Sequence, residues 1–340
     1  MSDLSAQRGT SRRRLLTWPL SLDPRAAAAD HWIRIHRRAM ACRFEITLSG
    51  EDAADVPAAR AALDEADRLE EALSVFRDTS HLTAINRTAA DAPVAIDAEL
   101  FALLDTCRRL HDDTGGAFDI TSTPLSRCWG FLHREGRLPP LDAIDSARAL
   151  VGMTHVALDA GAQAVRFAKP GVELNMGSIG KGYAVQRMCD LLARRGAPHA
   201  LVSAAGSSIA ALGGRGRGWE IDLHSRQRAG TPLARVFLRN GALATSGAGE
   251  QFIEVDGRRY GHVLDPRTGW PASGVLSATA IAGDAATADA LATAFLVGGV
   301  DLARAYCASH PETLAVVFPD DGSPRARIFG SFRDAIVEDA

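Results

Sequence analysis

Hydrophobic residues recur along the chain with two different periods, and each period predicts one kind of element. Apolar residues at helical spacing predict four helices. These cover residues 52–73, 96–114, 285–297 and 299–309. Alternation with a period of two predicts two extended segments around Met40 and a hairpin over 154–171. Further strands are predicted in HALVSAAG, GWEIDLH, LARVFLR, RRYGHVL, LSATAIAG, TLAVVF and RARIFG.

The order of these elements predicts the fold class. Residues 172–196 predict a strand, a glycine-rich turn and a helix that Gly196 ends. Strands and helices do not alternate regularly along the chain, which favours an α+β fold with helices packed on a mixed or antiparallel sheet. No linker rich in Pro, Gly or Ser divides the sequence after residue 30, so residues 31–335 are predicted to form a single domain.

The first 30 residues have a different character. An arginine run precedes the apolar stretch LLTWPLSL, which is the order found in twin-arginine export signals. The stretch is short and is closed by DPR, so a disordered arm is the favoured prediction and an export signal the alternative. No stretch of the sequence reaches the roughly 18 apolar residues that a membrane-spanning helix needs.

Composition argues against several classes of function. The 340 residues are 46% hydrophobic and 23% charged, as in ordinary globular proteins, and the net charge of -3 gives no attraction to nucleic acid. Five scattered cysteines without a C-x-x-C pair argue against a zinc site and favour a reducing, cytoplasmic compartment. Of 38 basic residues only Lys169 and Lys181 are lysines, whose compact ammonium group arginine does not replace.

The first candidate motif is NMGSIGKGYAV, residues 175–185. It resembles a phosphate-binding loop, but Asn175 replaces the first glycine and Gly182 replaces the hydroxyl residue that binds magnesium. A standard nucleoside-triphosphate fold is therefore not expected. Lys181 still lies at a predicted helix N-terminus, where partial positive charge favours anions, so it is predicted to bind one.

Three further stretches allow both a functional and a structural interpretation. Asp289 and Thr293 are four residues apart on one helix face and could share a magnesium ion, or the threonine could bond back to its own backbone. In TGGAFD, residues 114–119, the backbone and a carboxylate near an aromatic ring could contact a ligand, or the stretch is a helix cap followed by a turn. In YGHVLDPRTGW, His262 precedes a Pro-Gly turn and is either a strand-end residue or a catalyst.

Taken together and in order, these motifs resemble the ApbE family of FAD:protein FMN transferases. The segments that carry the resemblance run from about Met40 to Gly299. They are AMACRFEITL, ALSVFRDTSHLTAINR, TGGAFDIT, VELNMGSIGKGYAV, ALVSAAGSSIAALGG, GALATSGAGEQF, YGHVLDPRTGWP and ATADALATAFLVGG. The chain differs from the usual family pattern at Ala41–Cys42, Asn175 and Gly206–Ser208.

The resemblance implies a T-fold-like catalytic domain that binds magnesium and FAD and moves FMN onto a Thr or Ser hydroxyl of a target flavoprotein, releasing AMP. It also implies roles for single residues. Catalysis would fall to His262 and Lys181. Magnesium would be bound by Asp289, Thr293 and the carbonyl of Ser178. FAD would be bound by Met40, Phe76, Ala117, Phe118, Asp119, Asn175, Lys181 and Val263. The alternatives are an FAD pyrophosphatase and a protein that binds FAD without turning it over.

Overall fold

The computed structural model describes residues 31–224, 232, 234–249, 251–323 and 325–339. The predicted N-terminal arm or export signal lies outside these residues. The strands are β1 Trp32–Ala39, β2 Cys42–Ser49, β3 Val94–Ala95, β4 Val156–Asp159, β5 Ala164–Phe167, β6 Ala200–Ala204, β7 Ser208–Leu212, β8 Trp219–Leu223, β9 Ala234–Leu238, β10 Gly241–Gly247, β11 Phe252–Val255, β12 Arg258–Gly261, β13 Val275–Ala282, β14 Leu314–Pro319, β15 Arg327–Gly330 and β16 Ala335–Asp339. The helices are α1 Val56–Leu73, α2 His81–Thr88, α3 Ala98–Asp113, α4 Thr123–Cys128, α5 Leu141–Arg148, α6 Gly180–Arg194 and α7 Ala285–Ser309.

Eight strands form the central sheet in the order β1-β2-β6-β7-β10-β13-β14-β15, and every neighbouring pair is antiparallel. Three smaller sheets accompany it, in the orders β16-β9-β8, β3-β5-β4 and β11-β12. The predicted α+β class with an antiparallel sheet is confirmed.

The two faces of the central sheet carry side chains of different size. On the helix side the middle strands present mostly alanine, for example Ala210, Ala244 and Ala280, in the core that also contains α1, α6 and α7. The residues between them, such as Ile209 and Leu243, point into a second core against β8 and β9. Small side chains let helices approach a sheet closely, because less volume separates the two backbones. The sheet is therefore buried on both faces, with the helices on its alanine-rich side.

The predicted helices are confirmed with shifted boundaries. The helix predicted from residue 52 begins at Val56, after a 3-10 turn and with Pro57 in its first turn. The helix predicted from residue 96 begins at Ala98, because the Asp97 side chain accepts the N–H of Leu100 as an N-cap. The two helices predicted over 285–309 form the single element α7, which Gly299 interrupts with a φ of 73°.

The strand predicted at the start of 172–196 is wrong. Residues 172–176 form no strand and join no sheet among the described residues. The side chain of Asn86 holds this segment instead, because its amide donates to the carbonyl of Leu174 at 2.9 Å and accepts from the N–H of Leu174 at 2.8 Å. Helices α2, α4 and α5 and strands β3, β7, β10, β11 and β16 were not predicted.

Within the described residues, α7 is long and apolar enough to cross a membrane by length and composition. Its most apolar window is 61% buried inside the protein. A helix that is apolar on all sides and packs between a sheet and other helices belongs to a core. The helix contacts β10, β13 and β14 on one side and α6 on another.

Candidate active site

Lys181 lies in the first turn of α6, and its ammonium group reaches the turn between β6 and β7. Its Nζ donates to Ser207 Oγ at 3.2 Å. The residue before the helix, Ile179, offers no side-chain cap, so the first N–H groups of α6 depend on partners from elsewhere. A lysine beside such a helix end concentrates positive charge, and the site therefore suits an anion.

Asp289 supplies one of these partners from α7. Its Oδ2 accepts the backbone N–H of Gly182 at 2.9 Å, and its Oδ1 accepts the hydroxyl of Ser208 at 3.1 Å. The residue is 3% exposed. This buried carboxylate therefore caps one helix from another, and it links the starts of α6 and β7.

The contact requires glycine at position 182. A Cβ there would lie 2.1 Å from the carbonyl oxygen of Ala285 and 2.6 Å from Cβ of Asp289. Real Cβ atoms do not approach other atoms so closely, so any other residue would force α6 and α7 apart. Close packing thus explains why position 182 is glycine, whereas a phosphate-binding loop has serine or threonine there, because neither side chain would fit.

Thr293 follows Asp289 by one turn on the same face of α7. Its hydroxyl donates to the Asp289 carbonyl at 3.3 Å and lies 3.2 Å from the hydroxyl of Ser246 on β10. The hydrogen bond from the threonine to its own helix backbone, which the structural interpretation predicts, is therefore present. It does not consume the oxygen lone pairs, so the hydroxyl can still act as a ligand.

The turn between β1 and β2 belongs to the same region. Met40 and Ala41 have φ angles of 49° and 56°, and Met40 packs half-buried against the core. Burial raises the pKa of the next residue, Cys42, to about 11, while Lys181 lowers it and Asp289 raises it. The N–H of Ala205, in the turn that Lys181 reaches, donates to the carbonyl of Arg43 at 2.8 Å, so the Met40 turn lies near the lysine.

The side chains of Ala117, Phe118 and Asp119 are all buried. Asp119 Oδ1 accepts the N–H of Thr121 at 2.7 Å and its hydroxyl at 2.6 Å, and Oδ2 lies 3.3 Å from His111 Nδ1. Both carboxylate oxygens thus have partners inside the protein. The aspartate therefore organises this turn.

His111 was not predicted as part of the site. Burial acts to lower its pKa, but the hydrogen bond and charge of Asp119, together with the charge of Asp112 and the Phe118 carbonyl, raise the pKa above its ordinary value. A Cβ added to Gly116 would lie 3.4 Å from the His111 ring and 3.7 Å from the side chain of Arg267. The TGGAFD turn and the DPRTG turn are therefore neighbours.

Asn175 connects the TGGAFD segment to the glycine-rich turn before α6. Its backbone N–H donates to the carbonyl of Ile120 at 2.8 Å, and its side-chain oxygen accepts the N–H of Gly177 at 2.8 Å. Ser178 follows in the same turn. The amide therefore shapes the loop that leads to Lys181.

His262 follows directly after β12. Its N–H donates to the carbonyl of Gln251 at 2.9 Å, and its Nδ1 lies 3.2 Å from the same oxygen. Val263 then accepts the N–H of Ala272 at 2.9 Å across the DPRTG turn. The corner is fixed because the indole N–H of Trp129 donates to the carbonyl of Gly269 at 2.9 Å. The turn is thus held by hydrogen bonds at both ends and carries the histidine at its base.

Phe76 is the most exposed of the predicted residues, at 70%. Its N–H donates to Ser74 Oγ, and its ring makes no ring–ring contact within the described part of the chain. A cavity of about 640 Å³ lies elsewhere, beside the C-terminal half of α6, and is lined by none of the predicted residues. The predicted site is an assembly of helix ends and turns outside that cavity.

Comparison with known proteins decides the family. The model of the ApbE family matches residues 40–318. This chain belongs to the ApbE family. An FAD:protein FMN transferase of Treponema pallidum is 34% identical over 301 residues, covering 82% of each protein, and one of Klebsiella pneumoniae is 30% identical over 278 residues, covering 78% of this chain and 79% of the relative.

Solved structures of ApbE proteins share the fold. The ApbE protein of Thermotoga maritima superposes with a TM-score of 0.79 at 30% identity, covering 88% of this chain and 97% of that one. The flavin transferase ApbE of Vibrio cholerae gives a TM-score of 0.75 at 25% identity, with the same coverage. The resemblance deduced from the motifs is confirmed at the level of family and fold.

Proposed function

We propose that this protein is an FAD:protein FMN transferase that uses magnesium to move FMN from FAD onto a Thr or Ser hydroxyl of a target flavoprotein, with release of AMP. The main observation in support is that Lys181 lies at the start of α6, which Asp289 caps, in a chain of the ApbE family. Curated relatives named for this activity span most of the chain.

Lys181 and the start of α6 are suited to the pyrophosphate of FAD. A lysine ammonium and helix N–H groups together neutralise phosphate oxygens, and negative charge grows on the leaving AMP phosphate as the P–O bond breaks. The bond that forms joins the acceptor oxygen to the phosphorus of FMN. The contact to Ser207 holds the ammonium in this region.

The donor groups proposed for magnesium fit that ion. They are the carboxylate of Asp289, the hydroxyl of Thr293 and the carbonyl of Ser178, all oxygen ligands. The described residues contain no group of three or more His, Cys, Asp or Glu side chains placed to bind a metal. One carboxylate with neutral oxygens is a set that magnesium accepts when substrate phosphates complete its shell. The ion, when bound, would supply Lewis-acid stabilisation of phosphate charge.

His262 is the proposed general base. With its hydrogen on Nδ1, directed at the Gln251 carbonyl, the neutral imidazole carries its lone pair on Nε2. The base would take the proton of the acceptor hydroxyl as its oxygen attacks phosphorus. The contact of Nδ1 with the Gln251 carbonyl orients the ring, and the bond from Trp129 to Gly269 holds the turn that follows it.

The remaining proposed contacts surround the flavin and the nucleotide. Met40 and Phe76 would meet the flavin ring, since both present apolar side chains that are not fully buried. Val263 lies beside the base. Ala117, Phe118, Asp119 and Asn175 would shape the nucleotide side, mainly through the backbone of the turns that they stabilise.

The deciding experiment incubates the purified protein with FAD, magnesium and a library of Thr- and Ser-containing peptides. Transfer gives peptides whose mass increases by that of FMN less one water. These peptides retain flavin fluorescence in a denaturing gel. Release of free FMN and AMP without labelled peptide would show a pyrophosphatase instead. Unchanged FAD would show a binding protein.

A further inference from the structure

The hairpin β11–β12 stands apart from the other sheets. Among the described residues each of its strands has only the other as a hydrogen-bonded neighbour. The turn residues Asp256 and Gly257 both have positive φ, 51° and 74°, as a tight two-residue hairpin turn requires. An isolated two-stranded hairpin is only marginally stable, so this one must be anchored through a face or completed at an edge.

One face of the hairpin provides the anchor. Ile253 and Tyr260 are paired across the strands and pack against the cluster around Trp129, where the Tyr260 and Trp129 ring centroids are 5.6 Å apart. The hairpin is therefore fixed through its inner face.

The pairing pattern shows which backbone groups of β12 face outward. Val255 and Arg258 flank the two-residue turn and form a hydrogen-bonded pair, so hydrogen-bonded pairs alternate with non-bonded ones from there. The bond from His262 N–H to the Gln251 carbonyl agrees with this alternation. The N–H and C=O groups of Arg259 and Gly261 therefore point away from β11.

The charged side chains of β12 do not cover this edge. The Arg259 guanidinium lies 4.7 Å from the centre of the Phe252 ring and 3.2 Å from Glu254, while that of Arg258 lies 5.1 Å from the centre of the Tyr260 ring. Charged side chains commonly protect exposed strand edges from pairing. Here they fold back over the hairpin, and Gly261 has no side chain at all.

We propose that the outer edge of β12 binds an extended segment of the acceptor protein as an added strand, with the acceptor Thr or Ser beside His262. The inference rests on the proposed transferase function, which requires a protein hydroxyl to reach this histidine. β12 ends at Gly261 and His262 follows directly, so a strand paired with Arg259 and Gly261 leads to the base. Main-chain pairing of this kind gives affinity, and the alternate side chains give specificity.

The test compares Arg259→Pro, which removes the outward N–H, with Arg259→Ala, which removes the same side chain and keeps that N–H. The probe is the peptide that the parent protein labels most efficiently in the library. We expect kcat/KM for the peptide to fall about tenfold or more in Arg259→Pro and to stay within roughly twofold of the parent in Arg259→Ala. FAD affinity and melting temperature should be unchanged in both.

A second measurement covers the case in which Arg259→Pro disturbs the fold. Amide hydrogen exchange of the parent protein is followed with the same peptide carrying Val in place of the acceptor Thr. Slowed exchange at Arg259 and Gly261 supports the docking edge, and unchanged exchange there overturns it.

The remaining outcomes separate the two proposals. A parent that transfers flavin while Arg259→Pro transfers equally well overturns the docking edge alone. A parent that sediments as a dimer, with Arg259→Pro monomeric and equally active on the peptide, assigns the edge to a second copy of the chain. A parent that labels no peptide and releases free FMN overturns the transferase function and the docking edge with it.

Discussion

The carboxylate of Asp289 accepts the backbone N–H of Gly182 at 2.9 Å, so a residue of α7 caps the start of α6. The same carboxylate is the proposed magnesium ligand. A structural role and a proposed metal-binding role therefore fall to one buried side chain, and two substitutions can separate them.

Asp289→Ala is expected to lose magnesium-dependent turnover and also stability. It leaves the Gly182 N–H and the Ser208 hydroxyl without their partner, at about 1–3 kcal/mol for each unsatisfied group. Asp289→Asn keeps an oxygen that can accept the Gly182 N–H and an amide that can donate to Ser208. Most of the stability should therefore remain, while magnesium-dependent turnover is lost. Urea unfolding and magnesium titration of turnover measure the two effects. Full activity with retained metal affinity in Asp289→Asn would remove the carboxylate from the metal site.

Gly182→Ala is expected to destabilise the protein by about 1–3 kcal/mol, because the added methyl would overlap the carbonyl of Ala285. Gly283→Ala is the matched control, since an added Cβ at that glycine meets nothing within 4 Å. Thermal unfolding of the two variants makes the comparison. Equal melting temperatures would mean that α6 and α7 can separate at little cost.

Lys181→Arg is expected to weaken FAD binding and turnover, although arginine keeps the charge. A wide planar guanidinium cannot replace a single ammonium beside Ser207 at the helix end. The only other lysine provides the control, because Lys169 Nζ donates to the Ala149 carbonyl and Lys169→Arg should be neutral. FAD titration and initial rates of both variants decide the matter, and identical constants would count against an anion-binding role for Lys181.

His262→Ala is expected to slow transfer by roughly 10²–10⁴-fold with little change in FAD affinity, as for the loss of a general base. Transfer by the parent protein should also slow at acidic pH, where imidazole is protonated and cannot accept a proton. His133→Ala removes an exposed histidine from the neighbouring loop as a control. If His262→Ala retains the parent rate and pH profile, another group or the metal alone activates the hydroxyl.

The pair of His111 and Asp119 predicts a pH dependence of stability. Asp119 raises the pKa of His111 in the folded state, so its stabilisation is fully present below the unfolded pKa of about 6.5 and is lost as pH rises through the raised value. His111→Gln should flatten this part of the profile. Urea unfolding between pH 5 and 8 tests the prediction, and an unchanged slope in the variant would assign the effect to other groups.

The sequence could predict those parts of the site that depend on local spacing. A helix start at Lys181 and the shared helix face of Asp289 and Thr293 both follow from residues a few positions apart, and the structure confirms them. The hydrogen bond that the Ser208 hydroxyl donates to Asp289 joins residues 81 positions apart. Hydrophobic periodicity cannot predict such a contact, because the contact depends on how α7 packs against the sheet.

The same limit explains the segment before α6. Its apolar residues fit a strand, but the decisive partner is the side chain of Asn86, 88 positions from Leu174. His111 likewise gave no signal, since a histidine at the end of a helix has no characteristic spacing from Asp119. The order of the motifs identified the family, whereas only the three-dimensional structure shows that Asn86 binds Leu174 and that His111 lies beside Asp119.

Gly299 divides the most apolar helix of the molecule into two unequal pieces. The continuous part, residues 285–298, is about 21 Å long at 1.5 Å per residue, against about 30 Å of hydrocarbon in a bilayer. A helix with the composition of a membrane span is thus shorter, in its continuous part, than the hydrocarbon core of a bilayer is thick. Beyond Gly299 the side chains of Ala303, Tyr306 and Cys307 are buried in the same core, so both pieces of α7 pack inside the protein.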